Sequence, residues 1–142
     1  HLSVSVIASR VVGEACLWFS GAPPLVLAIN RQIINVSNGK IHYLGGETPV
    51  DHPRAEEITD IAQKVVKILG CQGYIGVDMV VGDRIVVVDV NPRITTSIIG
   101  IAEVMEEEIA DLLIRASEGL EMPPVHLGGS VSFDTQGRIK RQ

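Results

Sequence analysis

Gly76-Val77-Asp78-Met79-Val80-Val81-Gly82-Asp83-Arg84-Ile85-Val86-Val87-Val88-Asp89-Val90-Asn91-Pro92-Arg93 reads as two apolar, β-branched runs around Gly82-Asp83, a two-residue hairpin signal. Each run carries an acid where a hydrophobe is expected. Aspartate is depleted in strands, and a buried, unpaired carboxylate is costly. Two carboxylates on paired strands ask for a cation.

With Gly82-Asp83 as the loop, Val81 faces Arg84, Asp78 faces Val87 and Gly76 faces Asp89. Asp78 and Asp89 are then diagonal neighbours, roughly 7–8 Å apart and closer at Cβ. Alternation puts Asp78, Asp89 and Asn91 on one face, with Val80, Ile85 and Val87 toward the turn. Val77, Met79, Val86, Val88 and Val90 form the opposite, core-facing side. Carboxylate oxygens at this spacing can hold one or two Mg²⁺ ions at about 2.0–2.1 Å. The competing reading makes Asp78 and Asp89 ion-pair partners of Arg84 or Arg93, and Asn91-Pro92 a strand-ending turn. Two acids, an Asn and an Arg on one face favour the metal reading.

Asp78 followed by Asp89-Val90-Asn91-Pro92-Arg93 resembles the metal-binding hairpin of the ATP-grasp superfamily: an acid on one strand, then acid-x-Asn on the next. Carbamoyl-phosphate synthetases and biotin carboxylases carry the Asn-Pro-Arg version. Here the second acid is Asp89 rather than the commoner Glu. Pro24-Leu25-Val26-Leu27-Ala28-Ile29-Asn30-Arg31-Gln32, Tyr43-Leu44-Gly45-Gly46 and Asn91 to Ser97 look like the branch of tyramine–glutamate ligase-like enzymes. The resemblance implies that Asp78, Asp89 and Asn91 bind Mg²⁺ (Mn²⁺ as a substitute) bridging ATP phosphates. It implies Arg93 beside the transferred phosphoryl group, where a guanidinium matches phosphate geometry. It puts Val80 beside adenine. Val88, the residue before the second acid, is turned away by the parity argument. Arg31 is open between contact with phosphate or an acidic substrate and a cross-strand pair.

The chain has 142 residues, 46% of them hydrophobic, with net charge −5 and mean hydropathy +0.28. That suffices for one domain with a core. No apolar run approaches the ~18 residues of a membrane helix, and no signal-peptide pattern is present. The acidic balance argues against nucleic acid as a partner. Cys16 and Cys71 lack metal or disulfide spacing and read as reduced thiols of a cytoplasmic protein.

The first strand is expected over residues 2–9. By the resemblance, the adenine-binding hinge and two phosphate-holding lysines would precede His1, so residues 1–142 are expected to be a C-terminal ATP-grasp lobe, with the N-terminal part of the same protein as a partner. A loop over 11–24 follows, with Trp18 and Phe19 packed under it. Strands over 25–36 and 40–44 flank Asn38-Gly39, a type I′ turn signal. A helix starts near Pro53, capped by Asp51 or His52, buries Ile58, Ile61, Ala62, Val65, Val66 and Leu69, and stops at Gly70. Thr95-Thr96-Ser97 caps a single helix from about 97 to 118, with Glu106-Glu107-Glu108 as a solvated face and Gly119 as its stop. A last strand over 125–133, interrupted by Gly128-Gly129, leads to a frayed basic tail, Arg138 to Arg141. His1, His42, His52 and His126 have no metal spacing.

The expected fold is therefore α+β: a mostly antiparallel sheet with two main helices on one face, resembling the C-terminal lobe of an ATP-grasp fold. The expected function is part of an ATP-dependent carboxylate–amine or carboxylate–thiol ligase acting through an acyl phosphate on small molecules. The rivals are a bicarbonate-activating carboxylase or synthetase, and a degenerate, non-catalytic binding module.

Overall fold

The computed structural model describes residues 1–9 and 23–142. The expected loop, with Cys16, Trp18 and Phe19, falls outside the described residues but for its last two positions. Among the described residues seven strands form one antiparallel sheet: β1 Leu2–Ala8, β2 Leu25–Ser37, β3 Lys40–Thr48, β4 Gly73–Val81, β5 Ile85–Asn91, β6 Val131–Asp134 and β7 Ile139–Arg141. Their order is β5-β4-β1-β2-β3-β6-β7. The described residues also form three helices: α1 Ala55–Leu69, α2 Ile98–Val104 and α3 Ile109–Glu118. The expected α+β class with an antiparallel sheet is what the chain adopts.

β1 is paired on both edges, with β2 and β4, and is buried along its whole length. Its alternation assigns the layers. Leu2, Val4, Val6 and Ala8 pack with Ile75, Val77 and Met79 of β4 against Ile58, Ala62 and Val66 of α1. On the other face, Ile7 and Tyr74 pack against Ile101, Ile109, Leu112 and Ala116 of α2 and α3. The helices thus cover opposite faces rather than the one face expected. Each fully buried aliphatic side chain contributes about 1.5–3 kcal/mol.

α1 ends at Gly70, which has left-handed backbone angles. The amides of Gly70 and Cys71 donate to the carbonyls of Lys67 and Val66 at 3.1 Å each, the double closure of a Schellman stop. Leu69, expected in the core, is exposed. At the other end the Nδ1 of His52 accepts the Arg54 amide at 3.0 Å.

The single helix expected over 97–118 is two. Met105 is extended and bridges to Leu127. The Glu106 amide donates to the His126 carbonyl at 3.0 Å, and the Gly128 amide to the Val104 carbonyl at 2.7 Å. Glu107 is therefore not simply a solvated side chain. It accepts from the His126 amide at 2.8 Å and lies 2.6 Å from its Nδ1. This pair holds the Glu107 carboxyl below its usual range and raises the imidazole above its own. Nothing local breaks the helix: strand-like pairing with residues 126–128, distant in sequence, does.

The chain's end is not frayed. Ile139–Arg141 pairs with β6, and Arg141 forms an ion pair with Glu103 at 2.7 Å. The strand expected over 125–133 is confined to Val131–Asp134. Asn38 and Gly39 have φ of 51° and 70°, the type I′ hairpin expected. Gly45 has φ 143°, and a Cβ there would lie 2.0 Å from the Phe133 carbonyl oxygen, so β6 can approach β3 only because this position has no side chain. Gly45→Ala is expected to lower the urea midpoint of the full-length protein by the equivalent of about 2 kcal/mol or more. Gly82→Ala, with nothing within 4 Å of an added Cβ, should change it by less than about 0.5 kcal/mol.

Candidate functional site

The β4–β5 hairpin pairs differently from the two-residue-loop arithmetic. Val81 pairs with Ile85, leaving Gly82, Asp83 and Arg84 in the loop, and the register shifts again so that Asp78 pairs directly with Asp89. Val88 is the extra residue of this bulge. The longer loop and the bulge each add one residue. Their sum is even, so the acids keep the face assigned to them. Between turn and bulge the parity is reversed. Ile85 and Val87 pack on the core with Val81 and Val90, whereas Val86 and Val88, expected in the core, are 51% and 56% exposed.

Asp78 and Asp89 are thus direct rather than diagonal neighbours. Asn91 pairs with Gly76 one step along. The Asn91 amide donates to Asp89 at 3.0 Å and to Asp78 at 3.4 Å. The Arg93 guanidinium donates to Asn91 Oδ1 at 3.1 Å and to the Ile94 carbonyl at 3.1 Å. Gln32 donates to the other Asp78 oxygen at 3.1 Å. Among the described residues neither acid has an ion-pair partner, so the competing reading through Arg84 or Arg93 has no contact behind it.

Two carboxylates and a carboxamide fit a hard divalent cation such as Mg²⁺, which takes oxygen ligands and keeps several waters. One electropositive NH₂ group already lies within hydrogen-bonding reach of both acids, the position a cation shared between them would need. Among the described residues no three His, Cys, Asp or Glu side chains form a metal cluster, so the set depends on Asn91, whose amide must turn its oxygen from Arg93 toward the acids to act as a ligand.

Pairing across β2, β1, β4 and β5 lines up Asn30, Ser3, Asp78 and Asp89 in one transverse row. Beside it lies a cavity of about 240 Å³, whose wall includes Asn30, Gln32, Tyr43, Asp78, Asn91 and Arg93. Burial, and then the negative field of Asp78, raises the Tyr43 phenol above its usual pKa. Val80 and Asp89 are not among the cavity's lining residues. Arg31 contributes to the wall, but its guanidinium is held by Glu47 at 2.9 Å. Alternation puts its neighbours Asn30 and Gln32 on the acids' face instead, and Gln32 reaches Asp78.

Sequence reading missed the buried polar network that joins the cavity residues Asn30, Thr95 and Ser97. Ser5 Oγ accepts from Asn30 Nδ2 at 3.0 Å and from the Tyr74 hydroxyl at 3.0 Å. A hydroxyl has two acceptor positions and one proton, so Ser5 must donate to Ser97, 3.1 Å away. Ser97 shares a further hydrogen bond with the Thr95 hydroxyl at 2.9 Å, and both line the cavity. Ser97 therefore makes no side-chain cap on α2, contrary to expectation. The available signal was Ser3 and Ser5 alternating with aliphatics in a strand.

Residues 1–97 match the model of an ATP-grasp domain. The chain belongs to the ATP-grasp family. It is 38% identical over 124 residues to the tyramine–L-glutamate ligase of Methanocaldococcus jannaschii, covering 86% of this chain and 34% of that enzyme. The enzyme of the same name from Methanocaldococcus fervens is 39% identical over 97 residues, 68% of this chain and 31% of the relative. The chain thus spans about a third of the length of these relatives. Among solved structures, N5-carboxyaminoimidazole synthetase from Staphylococcus aureus complexed with ADP superposes with a TM-score of 0.70 at 14% identity, covering 92% of this chain and 33% of that one. An ATP-grasp superfamily protein from Archaeoglobus fulgidus superposes with a TM-score of 0.61 at 26% identity, covering 94% and 38%. No helix among the described residues is long and apolar enough to cross a membrane.

Two measurements check the site. Ser5→Ala should destabilise the protein by about 1–3 kcal/mol and Tyr74→Phe by about 1 kcal/mol. The double variant should fall short of their sum by at least about 0.5 kcal/mol, because both remove one shared bond. Strict additivity in urea unfolding would count against the network. Separately, the absorbance titration lost in Tyr43→Phe should lie above the ordinary phenol pKa, and Asp78→Asn should lower it without fully restoring it, since burial is the larger cause.

Proposed function

We propose that the protein is an ATP-dependent carboxylate–amine ligase acting through an acyl phosphate, and that this chain carries the metal and phosphoryl side of its active site. The observation that carries the reading is the direct pairing of Asp78 with Asp89, both within reach of the Asn91 amide, with Arg93 held on that amide's oxygen. Asp78, Asp89 and Asn91 would hold Mg²⁺. When bound, the cation neutralises phosphate charge and orients the nucleotide. Val80, half-buried on the acid-bearing strand, is the proposed neighbour of adenine.

In the proposed reaction a carboxylate oxygen of the substrate attacks the terminal phosphorus of ATP, and ADP leaves. The amine then attacks the acyl carbon, phosphate departs with the carboxylate oxygen, and the nitrogen loses a proton. Arg93 supplies a fixed positive charge beside the phosphoryl group as it transfers. The two ligases 38–39% identical to this chain support an acidic amino acid as the carboxylate and an arylethylamine such as tyramine as the nucleophile. The N-terminal part of the protein would bring the adenine hinge and phosphate-binding lysines.

The test uses the full-length protein with Mg²⁺-ATP, L-glutamate and tyramine. Asp89→Ala and Asn91→Ala should each lower ATP binding or ADP release at least about tenfold, roughly 1.4 kcal/mol. Arg93→Ala should lower kcat by about 10²–10³ with ATP affinity nearly unchanged. Wild-type binding and turnover in both Asp89→Ala and Asn91→Ala would remove the metal assignment.

A further inference from the structure

Asn30 is 1% exposed. Its Nδ2 donates to the Ser3 carbonyl at 3.0 Å and to Ser5 Oγ at 3.0 Å. The Ser3 carbonyl can only accept, so the amide has one orientation. Its Oδ1 is buried and has no hydrogen-bond partner among the described residues. Leaving a buried acceptor unpaired is costly, and native structures rarely do so without a use for it. This residue lies in the wall of the cavity shared by Asp78, Asn91 and Arg93.

We propose that Asn30 is the positioning residue for the amine nucleophile, its Oδ1 accepting an N–H of the incoming amine. The proposal rests on the ligase reading above and assigns one of its substrates to a place. A carbonyl oxygen serves only a donor. Of the groups that meet in the reaction, the phosphoryl group and the reacting carboxylate are acceptors and would be repelled by it, whereas the attacking nitrogen carries N–H groups. A thiol is a weak donor, so the same feature favours nitrogen over sulfur as the nucleophile. Asn30 lies two strands from Asp78 in the transverse row, roughly 10 Å at about 4.7–4.9 Å per strand. That spacing leaves the phosphoryl group and the carboxylate between metal and amine, the order the reaction requires. Tyr43 and Phe133 line the same cavity and offer aromatic surface to an aryl group or a cation.

The experiment is calorimetric titration of the full-length protein with tyramine, in the presence of Mg²⁺ and a non-hydrolysable ATP analogue. Asn30→Ala should weaken tyramine binding at least about tenfold and leave nucleotide affinity unchanged. The unmutated protein should bind N,N,N-trimethyltyramine, which keeps charge and ring but has no N–H, at least about tenfold more weakly than tyramine; this arm does not depend on a variant folding. Equal binding of the two amines overturns the assignment. So does unaltered tyramine affinity in Asn30→Ala, a parallel loss of nucleotide affinity that marks a merely structural role, or no tyramine binding by the unmutated protein. Failure of the ligase reading itself would show instead as no glutamate-dependent ADP release.

Discussion

The constraint on which the structure depends is the burial of β1 on both faces. A strand paired along both edges spends most of its backbone groups on its neighbours, so what its two faces meet is decided by side chains. Leu2, Val4, Val6 and Ala8 meet that demand with apolar contact against α1 and β4. The other face carries Ser3 and Ser5, 5% and 0% exposed. Their hydroxyls cannot be left dry at low cost. Asn30, Tyr74, Ser97 and Thr95 gather round Ser5 for that reason. The site is thus an extension of a polar strip in the middle of the sheet, with Asp78 and Asp89 as its outermost members.

This strip explains why the acids were legible and why much around them was not. Asp78, Asp89, Asn91 and Arg93 depart from strand composition one by one, so a single sequence shows them. Their common face also survived an incorrect register, because a three-residue loop and a bulge together add two residues. Val86, Val88, Ile85 and Val87 lie between those two irregularities, where the error is odd, and each was assigned the wrong side. A bulge has no local signature in a run of four aliphatics. Ser3 and Ser5 were visible only as alternation; what they bind lies 25 to 92 residues away.

The helices divide along the same line. α1 was read well at its C-terminus because Gly70 and the apolar spacing are local. The break after Val104 was not, since Met105-Glu106-Glu107-Glu108 contains no glycine or proline. Its cause is the pairing of Met105 with Leu127 and of Glu107 with His126, across about twenty residues. Likewise Arg138 to Arg141 looked like a solvated tail until Val131–Asp134 provided an edge to pair with.

How Arg93 comes to stand beside the acids is a matter of one missing methyl group. The chain leaves β5 at Asn91 and must lie back across the sheet before α2 begins at Ile98. It crosses over Gly76, where a Cβ would sit 2.5 Å from Thr95 Cγ2. Gly76 pairs with Ser5 on one side and Asn91 on the other. A side chain at this point would lift Thr95 off the sheet and separate it from Ser97 and hence from Ser5. The polar strip, the turn through Arg93 and the start of α2 therefore share one close approach. Composition shows Gly76 only as a weak strand residue; its place between the buried serine and the Asn91 amide is what makes the short crossing, and with it the site, possible.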